Sequence, residues 1–483
     1  MSIAVALLLI ALLSLLPATV HAGDADSVWS QLMDGTVSGR ARLYDNRRWN
    51  DENAPYPNQP QDSGHDSQAT VLGGDVLLRS GSVGGFSAGV SVFTQQRLIH
   101  YAEPNPYLPP LNQLAESYLQ FQKSKLQLRF GRQMLSTPFA NGDAFSLTTR
   151  SFYGFTAALH LLDSGEPPAA PFNNTGPDGN PPSGFDPAVK PSFSYDAKSA
   201  PADLKLHLAR ITRYMSRFSD GFADVNRYGP GLHMADPAVP DATPGFFSTG
   251  LEYRHDLADA GVMARAWYYT FFDYARLQYY EAGWQGAKWG GDGPRPMLAL
   301  QYTTEGDTGA ARAGPVDADL YGLKLGLNLP KGDVLLLAEY SPDHPGSFRD
   351  GGLLHAYTDL SGVLYDDATD VGLEDLGPGR GFGVQVDCDP GKHASSYLRL
   401  MHYVADYGAN GSLYDYSGPA HFSGDSLLGG QLVPDQSGNE LDLGFAVQPG
   451  GGDWSLGDDL VFRSGFGGRN TFVEDRLRLV YTF

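Results

Sequence analysis

Few residues of this sequence are spaced for catalysis or for metal binding. HExxH and paired CxxC motifs are missing, the Asp-rich stretches depart from the EF-hand pattern, and the 12 histidines are scattered. A serine and a histidine could meet in space, but the sequence gives no spacing that supports such a pair. Because Cys388 is the only cysteine, an intrachain disulfide is excluded. The sequence therefore predicts no enzyme activity, no cofactor and no metal site.

The charged residues point instead to the binding and steering of solutes. Arg40 and Arg42 alternate with Ala41 and Leu43, and the same alternation of polar with apolar residues recurs along the chain. If the apolar side chains face lipid, the charged ones must face a wet lumen. Fixed charges along a pore orient a solute dipole or attract a carboxylate. The alternative is that these side chains pair with one another and brace the wall.

The alternation assigns charges of both signs to the lumen. The basic residues are Arg40, Arg42, Arg129, Lys205, Arg213, Arg217, Arg254, Arg265, Lys324, Arg399, Arg476 and Arg478. The acidic residues are Glu116, Glu339, Asp387, Glu440 and Asp442. Arg210, Arg213 and Arg217 lie too close together for strict alternation, so we expect a bulge or a loop between residues 208 and 218.

The elements that position these residues are β-strands, as the stretch 116–154 shows. Apolar residues occupy every second position on both sides of a short break at 122–124, which is the period of a strand with one apolar and one polar face. Two strands joined so closely pair as an antiparallel hairpin. After Gly131 the alternation stops, and clusters of Ser, Thr, Pro, Asn and Gly begin a loop at about 134–152.

The same unit of a tight turn, two alternating strands and a long loop repeats along the chain. Strands are predicted near residues 36, 68, 85, 112, 125, 152, 204, 246, 261, 276, 296, 318, 334, 380, 394, 438, 453 and 473. The total of eighteen is even, and short turns at one end with long loops at the other are typical of outer-membrane barrels. The long connection at 163–202 fits least well, because it falls on the side of the short turns.

Both ends of the chain carry export signals. Residues 1–22 form an uncharged apolar run that ends in Val-His-Ala, which predicts a signal peptide followed by a single barrel domain at 23–483. No later apolar run approaches the length of a membrane-spanning helix. The last strand alternates up to Phe483, and a terminal aromatic residue looks like the signal read by the bacterial barrel-assembly machinery.

Composition supports an exported β-protein. Gly, Tyr and Phe are frequent and charged residues make up only 18%, which favours strands and turns. The formal net charge of −21 makes nucleic acid a poor partner. The segment from Asp359 to Asp375 is acidic and contains no Lys or Arg. A solvated loop explains it, and cation binding at a surface is the alternative.

Aromatic residues cluster near predicted strand ends. They are Trp267, Tyr268, Tyr269, Phe271, Phe272 and Tyr274, followed by Tyr279, Tyr280 and Trp284. Girdles at the membrane interfaces explain such clusters. Sugar-binding platforms are the alternative.

Several short motifs resemble the OprD-type outer-membrane porins. They are LRFGRQ at 128–133, TPF at 137–139 followed by Asn141 and Asp143, SFYG at 151–154, LARITRYMSRFSDGF at 208–222, HAYTD at 355–359 and GPG at 377–379. Each motif is short, so the resemblance depends on their order over almost the whole mature chain.

The resemblance implies an eighteen-stranded barrel, monomeric or trimeric, that passes basic amino acids, peptides or small carboxylates along an arginine ladder. It also implies that the loop at 134–152 folds into the lumen and constricts it. The residues assigned to this constriction are Asp143, Arg129, Arg132, Phe145 and Arg150. Family members usually carry an arginine where this chain has Phe145, and Arg150 is the candidate substitute.

The sequence thus predicts a transmembrane antiparallel β-barrel of the Gram-negative outer membrane. Its expected function is passive, substrate-preferring diffusion of small polar or charged solutes. Outer-membrane lipid, these solutes and the barrel-assembly machinery are the expected partners. Three alternatives stay open: a general porin of sixteen strands, a barrel enzyme, and an exported β-sandwich that binds carbohydrate.

Overall fold

The alternating segments fold into one closed antiparallel barrel. The structure, a computed structural model, describes residues 28–51, 65–101, 104, 108–142, 147–162, 193, 195, 199–217, 219–224, 244–257, 259–312, 314–353, 363–366, 372–373, 378–391, 393–405, 436–465 and 469–483. Eighteen long strands lie within these residues, and each pairs with its neighbours in chain order. The first strand pairs with the last, from Arg40 opposite Thr482 to Trp49 opposite Val473, so the ladder closes on itself.

The strands lie where the two-residue period predicted them. Their bounds are β1 Thr36–Asp51, β2 His65–Arg79, β3 Phe86–Ile99, β4 Leu111–Lys123, β5 Leu126–Gln133, β6 Ser151–Leu162, β7 Asp203–Met215, β8 Phe246–Leu257, β9 Ala260–Phe271, β10 Ala275–Gln285, β11 Arg295–Asp307, β12 Asp317–Leu329, β13 Gly332–Ser341, β14 Gly379–Gly391, β15 Ala394–Ala405, β16 Gln436–Val447, β17 Trp454–Gly465 and β18 Arg469–Thr482. The sixteen-strand and β-sandwich alternatives are therefore wrong.

Short elements lie between the barrel strands. Pairs of residues form small strands at Ser136–Thr137, Ala140–Asn141 and Ala223–Asp224. The helix α1 spans Val28–Met33, and single 3-10 turns lie at Phe348–Asp350 and Pro449–Gly451. Among the described residues, none of the helices has the length and apolar content that crossing a membrane requires.

The two ends of the barrel differ in the length of their connections. Only residues 124–125, 258–259 and 330–331 join the strand pairs β4–β5, β8–β9 and β12–β13 at one end, which we call the turn rim. At the opposite end, the loop rim, residues 342–378 and 406–435 join strands. This asymmetry is the one that the sequence predicted.

The wall has an apolar outer face and an inner face that is largely polar. Leu325, Leu336 and Leu400 are 42%, 54% and 48% exposed on the outside. Side chains of the opposite parity, such as Glu339 on β13 and Arg399 on β15, are buried inside. The apolar residues of the predicted outward set thus form a band around the barrel.

The predicted interruption near Arg213 is a bulge in β7. The pairing of β7 with β6 shifts by one residue, because Tyr153 lies opposite Arg213 while Gly154 lies opposite Ile211. Ile211 is buried inside the barrel, whereas Arg213 and Tyr153 are exposed on the outer face. The inward assignment of Arg213 is therefore wrong.

Candidate functional site

The loop that follows β5 enters the lumen as a small hairpin. Ser136–Thr137 pairs with Ala140–Asn141 in this hairpin. The Thr137 hydroxyl donates a 2.7 Å hydrogen bond to the Ala140 carbonyl and closes the turn. The amide of Gly142 donates to the carbonyl of Leu135 at 2.7 Å, so the base of the hairpin is closed as well. These contacts give the tip a defined shape.

Phe139 at the hairpin tip packs against strands further around the wall. Its ring centre lies 5.9 Å from that of Tyr269 on β9 and 5.6 Å from that of Tyr279 on β10, both edge to face. The amide of Phe139 also donates a 3.3 Å hydrogen bond to the Tyr269 hydroxyl. The loop leaves the wall at the end of β5, and its tip contacts β9 and β10. It therefore crosses part of the lumen.

Glutamines and an arginine of the inner wall hold the returning part of this loop. The amide of Leu147 donates to the Oε1 of Gln95 on β3 at 3.2 Å, and the amide of Thr149 donates to the Oε1 of Gln113 on β4 at 3.0 Å. Arg42 on β1 donates a 3.1 Å hydrogen bond to the Leu147 carbonyl. The loop is therefore attached to β1, β3 and β4 as well as to β9 and β10.

A second segment, residues 363–366, also lies against the inner wall. Gln301 on β11 donates a 2.6 Å hydrogen bond to the carbonyl of Val363. The Oε2 of Glu339 on β13 accepts the amide of the third residue, Tyr365, at 2.8 Å. The hydroxyl of Tyr403 on β15 donates a 2.6 Å hydrogen bond to the carbonyl of Asp366. Three strands thus fix the backbone of one loop segment inside the barrel.

The side chain of Tyr365 joins this segment to a buried ionic network. Its hydroxyl donates a 2.6 Å hydrogen bond to the Oε1 of Glu281, whose Oε2 accepts hydrogen bonds from Arg265 at 2.5 Å and from Tyr279 at 2.9 Å. The ammonium of Lys324 lies 4.4 Å from the centre of the Tyr365 ring. Burial, and then the charge of Glu281, raises the pKa of the Tyr365 hydroxyl, so the hydroxyl remains a donor at neutral pH.

The two inward segments share one apolar cluster with the wall. Leu135, Phe139 and Ala140 of the first segment belong to it, and so do Val363 and Leu364 of the second. Because the cluster also includes buried residues of β9, β10 and β12, this side of the lumen is filled by loops and aromatic rings. The two segments therefore narrow the lumen along these strands.

Charged residues line the inner face of strands β1 and β2. The Nη2 of Arg40 lies 2.6 Å from the Oδ1 of Asp75, and the Nη2 of Arg42 lies 3.2 Å from the same oxygen. All three side chains are buried. Two guanidinium groups thus share the carboxylate of Asp75 between β1 and β2.

The charged wall continues through the last strands of the chain. On β18, Arg476 pairs with Glu474 at 2.6 Å and Arg478 pairs with Asp459 of β17. Arg48 of β1 also reaches Glu474, at 3.2 Å, across the seam that closes the barrel. The pairs Arg478–Asp459 and Arg48–Glu474 cross between strands and brace the wall, and these side chains lie on its inner face.

Two further arginines on the inner wall, Arg399 and Arg129, donate hydrogen bonds to glutamine side chains. Arg399 on β15 donates a 2.7 Å hydrogen bond to the Oε1 of Gln385 on β14. Arg129 on β5 donates to the Oε1 of Gln120 on β4 at 2.7 Å, and its guanidinium lies 4.0 Å from the centre of the Tyr118 ring. The amide oxygen of each glutamine fixes the orientation of the guanidinium, and the Oε1 of Glu116 on β4 lies 3.8 Å from the Nη1 of Arg129 as a partner of opposite charge.

The structure brings together only part of the constriction assigned from the sequence. Arg129 and Arg150 are buried inside the barrel, each 1% exposed. Arg132 lies on the outer face of β5, where its guanidinium is 4.7 Å from the centre of the Phe222 ring, so its assignment to the constriction is wrong. Asp143 and Phe145 lie outside the described residues, and their role stays a prediction.

Arg217, Phe483 and residues 1–22, which the sequence also singled out, do not lie together. Arg217 is buried just after β7, where its carbonyl accepts the Thr148 hydroxyl of the first inward segment at 2.8 Å. Phe483 exchanges two backbone hydrogen bonds of 3.0 Å with Gly39 of β1, and its ring is exposed on the outer face. Residues 1–22 lie outside the described part of the chain.

The aromatic cluster divides between the two faces of the wall. Tyr268, Tyr280 and Trp284 are exposed on the outside, as girdle residues are, but Trp267 and Tyr269 are buried inside. Phe271, Tyr274 and Tyr279 are buried as well, so the interpretation of the whole cluster as an interfacial girdle is wrong. The inner rings instead receive the inward loops.

Sequence reasoning missed the second inward segment and the residues that hold it. Tyr365, Glu281 and Tyr403 carry no motif, and the segment lies within an acidic stretch that was read as a loop. The apolar triplet Val363-Leu364-Tyr365 in that acidic stretch was the available signal. Within the described residues, no group of three or more His, Cys, Asp or Glu side chains is placed to hold a metal ion.

Comparison with solved structures identifies the fold. OccK9 (OpdG) of Pseudomonas aeruginosa is similar with a TM-score of 0.66 and 15% identity, over 94% of this chain and 99% of that chain. OccK2 (OpdF) of the same organism gives 0.65 at 15% identity, over 94% and 98%. A BenF-like porin from Pseudomonas fluorescens Pf-5 gives 0.65 at 14% identity, over 94% and 99%. No protein-family profile and no curated protein matches the sequence.

The likeness extends over nearly the full length of these porins. It confirms the predicted fold, an eighteen-stranded barrel built as in the OprD-type porins of Pseudomonas outer membranes. At about 15% identity the side chains that line the lumen are this chain's own. Its solute preference must therefore be argued from its own residues.

Proposed function

We propose that the protein is a porin of the Gram-negative outer membrane that gives passive, substrate-preferring diffusion of small polar or charged solutes. Small carboxylates fit its lumen best, and amino acids and peptides are further candidates. The supporting observation is the set of arginines on the inner wall near the seam that closes the barrel. Arg40 and Arg42 share the carboxylate of Asp75, and Arg478 pairs with Asp459.

A carboxylate solute suits this arrangement on chemical grounds. Arginine presents a planar fork that matches a carboxylate, and a row of such groups offers successive weak sites rather than one tight site. Two structural neighbours were solved with carboxylates: OccK2 (OpdF) in complex with glucuronate and OpdK with vanillate. Both observations support an anionic preference for this chain.

A solute-uptake experiment tests the proposal. Purified protein in liposomes should admit glucuronate faster than glucose, a neutral sugar with the same ring. A general porin would admit the two in the order set by their size and by the vesicle potential alone. Equal uptake of both, with larger sugars also entering, would favour that second candidate.

The enzyme alternative has little support in the geometry. Residues 85–89 read Gly-Phe-Ser-Ala-Gly, the letters of a nucleophile elbow. However, Ser87 lies inside β3, where it pairs with Gln120 of β4, instead of at a turn between a strand and a helix. The site therefore lacks the strained turn that exposes such a nucleophile.

Three further proposals concern targeting and assembly. Residues 1–22 act as a signal peptide, which mass spectrometry of the exported protein tests by its N-terminal residue. Phe483 is read by the barrel-assembly machinery, and its deletion should lower the amount of heat-modifiable barrel in the membrane. A homotrimer is the proposed alternative to a monomer, and light scattering of the detergent complex distinguishes the two.

A further inference from the structure

The connection between β6 and β7 is far longer than the barrel requires. Leu162, the last residue of β6, lies opposite Leu204 in β7, so the two strands are already adjacent at the turn rim. Other pairs at this rim are joined by two residues, as at 258–259 and 330–331. Residues 163–202 nevertheless separate β6 from β7. Chain closure does not explain this length.

One described residue of this connection, Phe193, lies inside the barrel mouth. Phe193 is only 8% exposed, and its ring lies beside Gly261 of β9 and Gly283 of β10 on the inner face. Asn328, on the inner face of β12, donates a 3.4 Å hydrogen bond to the Phe193 carbonyl. Phe193 therefore contacts the wall at several strands beyond β7.

Tyr195 continues along the same rim. Arg295, buried at the start of β11, donates a 3.3 Å hydrogen bond to the Tyr195 carbonyl. The Tyr195 hydroxyl donates to the Asp292 carbonyl at 2.8 Å, in the connection between β10 and β11. The ammonium of Lys288 lies 3.9 Å from the centre of the Tyr195 ring.

The chain then returns towards β7. The amide of Ala200 donates a 2.8 Å hydrogen bond to the carbonyl of Asp256, near the end of β8. The described residues of this connection thus lie along the turn rim, Phe193 at β9, β10 and β12, Tyr195 at β11, and Ala200 at β8. We call Phe193, Tyr195 and residues 199–202 the strap.

Glycines on two strands make room for the Phe193 ring. A Cβ atom on Gly261 would lie 3.0 Å from the Cδ1 of Phe193, and one on Gly283 would lie 3.2 Å from its Cε2. Both distances are shorter than most real contacts of a Cβ atom. The ring therefore occupies a notch that any other residue at these two positions would narrow.

We propose that the strap forms a second constriction at the turn rim, separate from the inward loops, and that Phe193 is its narrowing side chain. This inference rests on the proposed pore function, since a constriction has meaning only if solutes pass. With the turn rim in the periplasm, a solute that has passed the loops meets the strap before it leaves the pore. The strap then limits the size of solute that enters from the periplasmic side.

Two variants displace the ring by different routes. Phe193→Ala removes it, and Gly261→Val fills its notch while leaving the strap sequence intact. Gly457→Val is the matched control, because Gly457 lies on the inner face of β17 near the turn rim, where a Cβ would meet only ordinary contacts at 3.4 and 3.8 Å. Each variant is first checked for heat-modifiable gel mobility, which reports a folded barrel.

Polymer exclusion measured from each side of a planar bilayer tests the proposal. Phe193→Ala and Gly261→Val should raise unitary conductance by roughly half, because current follows the open cross-section. They should also admit larger polyethylene glycols from the turn-rim side, with the cut-off from the loop-rim side unchanged. A rise in Gly261→Val is diagnostic, since added bulk alone would narrow the pore.

The outcomes separate this proposal from the proposed function. If the wild-type protein forms no channels, the pore function fails and the strap proposal fails with it. If the wild type conducts but both variants keep its conductance and its exclusion limits, only the strap proposal is overturned. A conductance change in Gly457→Val equal to that in Gly261→Val would also overturn it.

Discussion

The hydroxyl of Tyr365 donates a 2.6 Å hydrogen bond to the carboxylate of Glu281 on β10. This contact joins a loop segment to the wall of the barrel, and both side chains are buried. Glu281 keeps its hydrogen bonds to Arg265 and Tyr279 when the Tyr365 hydroxyl is removed. The attachment of the segment can therefore be weakened without dismantling the wall.

We predict that Tyr365→Phe increases the fluctuation of the open-channel current. A hydrogen bond to a charged group contributes about 1.5–3 kcal/mol, and its loss shifts the segment towards detached positions. Current noise of single channels measures this. Tyr280→Phe is the control, because that hydroxyl bonds Gln278 on the outer face. Equal noise in wild type and Tyr365→Phe would show that the segment does not depend on this bond.

The attachment should also weaken at alkaline pH. The Tyr365 hydroxyl has a raised pKa in the attached segment, through burial and then the charge of Glu281, while a detached hydroxyl ionises near its ordinary value of 10.0. Below that pH both states are protonated and the attachment is complete. Above it the detached state loses its proton first, so rising pH favours detachment. Recordings of noise against pH check this, and Tyr365→Phe should remove the dependence.

The charged wall predicts opposite effects on ion selectivity from two variants. Asp75→Asn removes the carboxylate shared by Arg40 and Arg42 and should make the pore more selective for anions. Arg40→Gln combined with Arg42→Gln should lower the chloride-to-potassium permeability ratio by about two-fold or more. Reversal potentials in a KCl gradient measure both. Arg213→Gln, on the outer face, should leave the potential unchanged.

The tip of the first inward loop should limit conductance. Phe139→Ala removes the contacts with Tyr269 and Tyr279, and truncation of a buried Phe costs about 3–5 kcal/mol. The loop tip should leave β9 and β10, and unitary conductance should rise. Phe130→Ala, on the outer face of β5, is the control for a Phe truncation in this region. An unchanged conductance in Phe139→Ala would remove the hairpin from the narrowest part of the pore.

The strands were predictable because their signal is local. Alternation of apolar and polar residues depends on neighbouring positions only, and it gave the eighteen strand positions and the outward leucines of β12. The side chains of Arg213 and Arg132 were harder to place. A single bulge reverses parity at Arg213, and the assignment of Arg132 followed a family motif although its parity differs from that of Arg129.

The interior of the barrel depends on contacts between distant parts of the chain. Tyr269 and Tyr279 are aromatic residues on the inner face, and they are buried there because Phe139 packs on them from a loop that begins more than a hundred residues earlier. Likewise, Phe193 lies against Gly261 and Gly283 although nothing in its own neighbourhood predicts a wall contact. No local period encodes such packing.

Single-channel recording of the purified, heat-modifiable barrel in a planar bilayer decides whether the protein is an anion-preferring pore. We expect stepwise currents with a preference for anions, and glucuronate added to one side should reduce or interrupt them by occupying the sites near the arginines. A folded barrel that inserts into the bilayer without conducting, or that prefers cations and ignores glucuronate, would contradict it.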